Sequence, residues 1–279
     1  MVWKRVVSAI VFGVIVLGAL IWDELAFTFA IALAAVIGSV ELFNLFEKRG
    51  EEAVPTAAAV GILGALAYVF VAHFKGFASY GYVTIGIIFV CFLWYMLVLK
   101  HVKPTRAIAM TVFASLLSGL CLSHLVLLRD LKLPGGWEWL IVIYLLVLIW
   151  VYDIFAWAIG RKLGRRKIAP AISPNKSVEG AIAGTASVFI AAVLFRLIVQ
   201  AIHEFHWFSI GVAMIIAAMV CVLGPLGDLA ESMVKRDFGV KDMGGIIPEH
   251  GGIMDRFDST LFTAPAVFYY LFYFALKFK

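Results

Sequence analysis

Residues 139–160, WLIVIYLLVLIWVYDIFAWAIG, decide the fold class of this chain. The stretch contains a single charged residue, Asp153, and is otherwise almost entirely apolar. About 20 apolar residues in a helix cross the roughly 30 Å hydrocarbon core of a bilayer. Such a run must be helical in lipid, because every backbone N–H and C=O needs an internal partner there. Residues 139–160 therefore predict a transmembrane helix.

Similar apolar runs occur along the whole chain, so the sequence predicts an all-α integral membrane protein, a bundle of about nine transmembrane helices. The predicted spans are Val6–Trp22, Leu25–Phe46, Ala53–Phe74, Gly81–Leu99, Ala107–Leu128, Trp139–Gly160, Gly180–His203, Trp207–Leu223 and Ser259–Phe278. The composition, 63% hydrophobic and 15% charged over 279 residues, excludes an ordinary soluble domain. Residues 1–279 are predicted to form a single polytopic membrane domain, with N-terminal helices in 1–138 and the catalytic helices and loops in 139–279.

Basic residues are distributed unevenly between the two sides of this predicted bundle. If the N-terminus is cytoplasmic, most of the 23 Lys and Arg residues lie in cytoplasmic segments. The opposite segments contain only Lys75, Arg129, Lys132, Lys277 and Lys279. This asymmetry follows the positive-inside rule and predicts a cytoplasmic N-terminus. Topology thus explains the net charge of +5, and no nucleic-acid partner is expected.

Acidic residues occur in or beside three predicted spans, where an ionised side chain is costly unless it faces a polar cavity or partner. They are Glu41, Asp153, Asp228 and Glu231, all toward the cytoplasmic side of the predicted topology. In the polar extension of the eighth span, residues at helical spacing form one polar face: Asp228, Glu231, Ser232 and Lys235. Because four acids converge on one membrane depth, a functional site is favoured over isolated structural ion pairs.

The segment between the sixth and seventh spans, residues 161–179, is strongly basic. Juxtamembrane Arg and Lys attract anionic lipid and set topology, which accounts for residues 161–167. Ser173, Lys176 and Ser177 differ, because they place two hydroxyls and an ammonium beside a predicted helix start. This arrangement is favourable for binding phosphate.

Residues 235–259, KRDFGVKDMGGIIPEHGGIMDRFDS, mix acids and bases with two Gly-Gly pairs. Mg²⁺ is usually held by one or two carboxylates together with substrate phosphates, and Lys and Arg bind the phosphates themselves. The pairs Gly244-Gly245 and Gly251-Gly252 allow the backbone to approach a ligand closely. The stretch therefore predicts a polyphosphate held by a metal ion. A Walker ATPase is excluded, because G-x-x-x-x-G-K-[ST] does not occur.

The pattern from Ser232 to Asp258 closely resembles the signature of phosphatidate cytidylyltransferases, also called CDP-diacylglycerol synthases. Its fixed residues are Ser232, Val234, Lys235, Arg236, Lys241, Asp242, Gly244, Ile247, Pro248, His250, Gly251, Gly252, Ile253, Asp255, Arg256, Phe257 and Asp258. The upstream pattern D-x2-A-x3-G-x3-G from Asp153 to Gly164 and the octapeptide SPNKSVEG, residues 173–180, resemble the same family. Asn175 departs from it, standing where relatives often have Lys.

The resemblance implies a Mg²⁺-dependent nucleotidyltransferase that transfers the cytidylyl group of CTP to phosphatidic acid, giving CDP-diacylglycerol and pyrophosphate in phospholipid biosynthesis. It also implies K⁺ as a second cation, a homodimer, and a multi-pass protein of the cell (inner) membrane whose active site faces the cytoplasm. The implied catalytic residues are Asp228, Lys235, Arg236, Lys241, Asp242, His250, Asp255 and Arg256. The implied substrate-binding residues are Ser173, Lys176, Ser177, Ser232, Gly251 and Gly252. The implied metal ligands are Asp228 and Asp255, with Asp153, Glu231 and Asp258 as further or supporting ligands.

Two other functions are compatible with some of these features. A CTP-dependent lipid-alcohol kinase, acting on a polyprenol or phytol, would share the nucleotide and the membrane location but would release CDP. An ion-coupled transporter would explain intramembrane acids. Against the transporter, the acids lie on one side of the predicted bundle, whereas a transport path needs polar groups at the midplane and beyond.

Overall fold

The computed structural model describes residues 13–47, 56–98, 104–133, 136–202, 207–244 and 251–275, and nearly all of them are helical. The helices in chain order are α1 (Gly13–Trp22), α2 (Glu24–Glu47), α3 (Ala58–Lys75), α4 (Tyr80–Leu97), α5 (Pro104–Ala114), α6 (Leu122–Arg129), α7 (Trp139–Leu163), α8 (Val178–Ile202), α9 (Ile210–Asp237) and α10 (Met254–Tyr270). A π-helical segment, Ser115–Cys121, joins α5 to α6, and another, Leu271–Ala275, continues α10.

Seven helices in the described part of the chain are long and apolar enough to cross a membrane. They are α2, α3, α4 with the short turn before it, α5 joined to α6, α7, α8 and α9. Each coincides with a predicted span, so the predicted all-α, multi-pass membrane architecture is confirmed. The first and last predicted spans overlap the shorter helices α1 and α10, and positions 6–12 and 276–278 of these spans lie outside the described residues. The total of nine spans and the cytoplasmic N-terminus stay predictions.

The helices group into two compact units. Unit 1 comprises Met1–Asp130 and Asp237–Phe257, and unit 2 comprises Leu131–Arg236 and Asp258–Lys279. Both units draw on the polar stretch 235–259, so its charged residues are described below within the unit to which they belong.

Paired hydroxyls connect the helices of unit 1. Ser39 on α2 and Ser118 on the π-helical segment lie 2.7 Å apart, oxygen to oxygen, and both are buried. Tyr80 on α4 and Ser123 on α6 form a similar buried pair at 2.6 Å. An unpaired hydroxyl would be costly in an apolar interior, and small hydroxyl residues also let helices approach closely. These pairs therefore specify which helix faces meet.

Helices α7 and α8 of unit 2 meet along a seam of glycines. A Cβ atom on Gly180 would lie 2.6 Å from the carbonyl oxygen of Ala156, and one on Gly184 would lie 3.0 Å from the Tyr152 ring. The spacing Gly180-x-x-x-Gly184, which favours close helix packing, thus lies where the two helices meet.

Gly180→Ala is expected to lower the thermal stability of the protein. The added methyl group would meet a backbone carbonyl, which cannot rotate away, and overpacking of this kind costs about 1–3 kcal/mol. The matched control is Gly211→Ala in the first turn of α9, where the nearest atom to the added Cβ is the Ser209 hydroxyl at 3.7 Å. Equal melting temperatures of the two purified variants would contradict the expectation.

A short antiparallel hairpin lies between α7 and α8. Its strands are β1 (Lys167–Ala169) and β2 (Ser173–Ser177), in the register Lys167↔Ser177 and Ala169↔Ser173. The sequence predicts a loop between these two spans, so the hairpin is an addition to the otherwise all-α architecture. Its backbone pairing gives the basic segment a defined conformation.

The hairpin is fastened to the first turn of α8. The Glu179 carboxylate accepts hydrogen bonds from the backbone N–H groups of Arg165, at 2.9 Å, and Arg166, at 3.2 Å. The Ser177 hydroxyl accepts the N–H of Gly180 at 3.2 Å, as N-terminal capping residues do. These contacts fix β2, and with it the backbone of Lys176, at the start of α8.

Candidate active site

The predicted polar face of α9 is present and internally paired. Lys235 Nζ donates to Glu231 Oε1 at 3.0 Å, and both side chains are almost completely buried. The Ser232 hydroxyl donates to Asp228 Oδ1 at 3.3 Å. Removing an ion from water costs on the order of several kcal/mol. A buried charge is therefore tolerated only where an oppositely charged partner and hydrogen bonds offset that cost. The face therefore carries charge into a helix that is otherwise apolar.

Strand β2 brings Lys176 to this face. Its Nζ lies 2.6 Å from Asp228 Oδ2 and 3.5 Å from the carbonyl oxygen of Pro225. Asp228 thus accepts from Ser232 on one carboxylate oxygen and contacts an ammonium on the other. Lys176 is a predicted phosphate-binding residue and Asp228 a predicted metal ligand, and the structure brings these two residues into direct contact.

The beginning of α10 within unit 2 adds Asp258. Gly227 allows the approach, because a Cβ on it would lie 2.5 Å from the carbonyl oxygen of Asp258. Burial, followed by the negative charge of Asp228, raises the pKa of the Asp258 carboxyl, while the ammonium groups of Lys235 and Lys176 act in the opposite direction. Asp228, Asp258, Lys176 and Lys235 are called the unit 2 cluster below.

A cavity of about 540 Å³ adjoins the unit 2 cluster. Its polar lining residues are Tyr152, Asp153, Asn175, Lys176, Ser177, Thr185 and Asp228. The rest of its wall is largely apolar and includes Ala156, Trp157, Ile168, Val222 and Leu226. Asp153, a predicted ligand, therefore shares a cavity with Asp228. The cavity thus combines charged groups, from Asp153, Lys176 and Asp228, with a largely apolar wall, as sites for amphipathic small molecules do.

Asp255 organises the part of the signature that lies in unit 1. Its Oδ2 accepts the N–H of Gly252 at 2.8 Å and the N–H of Met243 at 2.9 Å, so it links residues on the two sides of the segment 245–250. Gly251 adopts a φ of +78°, which explains why glycine is suited to that position. One oxygen of this predicted metal ligand is thus engaged with the backbone.

Glu41 on α2 is the functional candidate that the predicted site omitted. Its side chain is buried, and its two carboxylate oxygens accept the N–H groups of Ile253, at 2.9 Å, and Met254, at 3.1 Å. The sequence signal was available, because an acid near the end of an apolar span needs a polar partner. Spacing along the chain could not name that partner, which lies more than 200 positions away.

The remaining predicted residues occupy varied positions. Arg236 Nε donates to the carbonyl oxygen of Ile172 at 3.2 Å, which ties the end of α9 to the hairpin. Ser173 is partly exposed at the start of β2, while Lys241, Asp242 and Arg256 are exposed in unit 1. Gly252 is packed against the Glu41 carboxylate. His250 lies outside the described residues.

The acidic residues can be compared with the needs of a metal ion. Within the residues that the structure describes, no group of three or more His, Cys, Asp or Glu side chains could hold a metal ion by itself. In unit 2, Glu231 is engaged by Lys235 and Asp228 by Lys176, and Asp258 is a second carboxylate close enough to Asp228 to feel its charge. Two carboxylates completed by substrate phosphate oxygens are a usual donor set of Mg²⁺. The residues therefore fit Mg²⁺ that binds together with a nucleotide.

Comparison with known proteins shows the family to which this chain is similar. Residues 3–274 match the cytidylyltransferase family. The phosphatidate cytidylyltransferase of Bacillus subtilis (strain 168) is 31% identical over 271 residues, which cover 96% of this chain and 97% of the relative. The protein of the same name from Synechocystis sp. is 30% identical over 291 residues, 96% of each chain. That from Thermotoga maritima is 44% identical over 116 residues, 42% of this chain and 43% of the relative. The family resemblance predicted from the sequence is confirmed, and the chain belongs to the cytidylyltransferase family.

Proposed function

We propose that this protein is a phosphatidate cytidylyltransferase, which converts CTP and phosphatidate into CDP-diacylglycerol and pyrophosphate. The observation that carries the proposal is the contact between Lys176 and Asp228 in a cavity whose other walls are largely apolar. Phosphatidate needs both kinds of lining at once, charged residues beside its phosphate and apolar residues beside its acyl chains. Relatives that carry this name match almost the whole chain, which supports the same assignment.

The reaction needs no activated side-chain nucleophile. A phosphatidate oxygen, already anionic, attacks the α-phosphorus of CTP, and a new phosphorus–oxygen bond forms. The bond between the α-phosphorus and the oxygen bridging to the β-phosphate breaks, and pyrophosphate leaves with that bonding pair. The protein then contributes positioning and charge neutralisation, which dominate catalysis of such transfers.

The charge of each side chain and its position relative to the cavity suggest which residues position the substrates and which neutralise their charge. Lys176, which lines the cavity, neutralises phosphate oxygens, and Ser173 and Ser177 donate hydrogen bonds to them. Lys235 is paired with Glu231 and Ser232 donates to Asp228, so the roles of these two residues toward phosphate rest on the resemblance. Arg236, Lys241, Asp242, His250 and Arg256 have roles that rest on the resemblance alone, and so does the contact of Gly251 and Gly252 with substrate.

Asp228 and Asp258 are the proposed holders of Mg²⁺ in unit 2. When bound, Mg²⁺ offsets the charge of the triphosphate and of the departing pyrophosphate. The resemblance adds Asp255 as a ligand, Asp153 and Glu231 as supporting residues, and K⁺ as a second cation.

The proposed location is the cell (inner) membrane, with the active site on the cytoplasmic side. The excess of Lys and Arg on the side of the N-terminus supports this orientation. CTP is supplied from the cytoplasm and the phosphate of phosphatidate lies at headgroup depth, so both substrates reach that membrane surface. A homodimer is proposed from the resemblance.

The function is tested by product analysis with purified protein in lipid nanodiscs, supplied with CTP and phosphatidate. We expect pyrophosphate and CDP-diacylglycerol in equal amounts, no product without phosphatidate, loss of the reaction in EDTA, and recovery on adding excess Mg²⁺. Release of CDP with a polyprenol or phytol as acceptor would indicate the kinase instead. Turnover that persists in EDTA would contradict the metal dependence.

A further inference from the structure

We infer that Glu41 is a positioning residue for the reaction, which holds the first turn of α10 and the ends of the adjoining signature segment in one arrangement. The inference rests on the proposed function, because the residues it holds include Asp255 and Arg256. All the contacts that carry it lie within unit 1.

Glu41 supplies hydrogen-bond acceptors to the start of α10. Its first N–H groups have no partner inside the helix and carry the positive end of the helix dipole. Glu41 Oε1 and Oε2 accept the N–H groups of Ile253 and Met254, at 2.9 and 3.1 Å. A carboxylate that accepts two backbone N–H groups forms charge-assisted bonds, which are stronger than neutral ones. Glu41 thus serves α10 as a capping residue supplied by a distant helix.

Glycines pack around the same carboxylate. A Cβ on Gly244 would lie 2.6 Å from Glu41 Oε1, and a Cβ on Gly252 would also clash with the carboxylate. Glycine at these two positions therefore lets the backbone on both sides of residues 245–250 reach Glu41. The Gly-Gly pairs are predicted to let the backbone approach a ligand, and at Gly244 and Gly252 the structure shows the Glu41 carboxylate in contact instead.

Asp255 makes the complementary connection. Its Oδ2 accepts the N–H groups of Met243 and Gly252, so both Asp255 and Glu41 contact this part of the chain. Without Glu41, the backbone N–H groups of Ile253 and Met254 would lose their carboxylate partner, and Asp255 alone would still bind Met243 and Gly252. The direction of the Asp255 and Arg256 side chains depends on this first turn of α10. Glu41 therefore acts through them and has no need to touch substrate.

The test compares Glu41→Gln and Glu41→Asp with the matched control Glu47→Gln. Gln has the same shape, but its NH2 group would face one of the two backbone donors. We expect kcat to fall roughly 10- to 100-fold, as is usual for residues that orient catalytic groups. KM for phosphatidate is expected to stay near its wild-type value. The melting temperature should fall, because one mismatched buried donor costs about 1–3 kcal/mol, but the protein should remain folded at the assay temperature. Glu41→Asp keeps the charge with a shorter reach, and its kcat is expected to lie between those of wild type and Glu41→Gln.

Glu47→Gln is the control on the same helix. Glu47 accepts a hydrogen bond from the Thr56 hydroxyl, and the kcat of its variant should match that of wild type.

A second readout does not depend on turnover. Limited trypsin cleavage after Lys241 or Arg256 is expected to be faster in Glu41→Gln than in Glu47→Gln, because local opening exposes the backbone to protease. Wild-type kcat and unchanged cleavage in Glu41→Gln would overturn the inference, and so would a loss of activity that only follows the loss of folded protein. If wild type releases no pyrophosphate while cleavage is still faster in Glu41→Gln, the proposed function fails and the positioning role stands.

Discussion

Asp228→Asn is expected to reduce pyrophosphate release from CTP and phosphatidate by more than about 100-fold, since even residues that merely support a metal ligand cost 10- to 100-fold. The substitution removes the negative charge 2.6 Å from Lys176 Nζ and one of the two neighbouring carboxylates of unit 2. Lys176 would then face a neutral amide in place of the carboxylate. Mg²⁺ would lose a ligand that an amide replaces poorly.

The measurement is the initial rate of pyrophosphate release over a range of Mg²⁺ concentrations. Glu138→Gln is the matched control, because Glu138 immediately precedes α7 in the same unit and lies outside the cavity lining and the unit 2 cluster. Its rate should equal that of wild type. A folded Asp228→Asn protein with wild-type turnover would exclude Asp228 from the reaction.

Gly227→Ala is expected to lower the rate on the order of 100-fold, the effect of a displacement of about 1 Å at a catalytic site. The added Cβ would lie 2.5 Å from the Asp258 carbonyl oxygen, so the two helices must separate at this point. That separation would move Asp258 away from Asp228. Because overpacking also costs about 1–3 kcal/mol, a lower melting temperature should accompany the loss of activity.

Gly224→Ala is the matched control for this prediction. Gly224 lies nearly one turn earlier on α9, and its added Cβ would make ordinary contacts at 3.8 Å with Ser259 and 4.0 Å with Thr263. We expect this variant to keep most of its activity. Similar rates for Gly224→Ala and Gly227→Ala would show that the close approach at Gly227 does not matter to the reaction.

The helices of this protein were predictable because their signals are local. An apolar run such as residues 139–160 must be helical in lipid wherever it lies in the fold. The polar face of α9 was predictable for the same reason, since Asp228, Ser232 and Lys235 are neighbours through helical spacing alone. The hairpin at 167–177 was missed because its strands are only three and five residues long and the second one contains Pro174, a residue that argues against a strand.

Local spacing could not predict which segments meet. The contact between Lys176 and Asp228 requires β2 to be fixed at the start of α8. The Glu179 carboxylate fixes it by accepting backbone N–H groups before the hairpin, and the Ser177 hydroxyl by capping α8. The role of Glu41 was hidden because its two backbone partners lie 212 and 213 positions away. Burial and pairing of charge depend on three-dimensional neighbours, so neither could be assigned from the chain alone.

By itself, therefore, the sequence determined the membrane class, the positions of the main helices and the family, because span length, helical spacing and a dense signature are properties of consecutive residues. Tertiary structure alone decided that Lys176 contacts Asp228, that Gly227 admits Asp258, and that Glu41 caps α10. The physical reason is that an ionised side chain in an apolar interior is stable only beside a partner. That partner is supplied by whichever distant segment the fold brings within hydrogen-bonding distance.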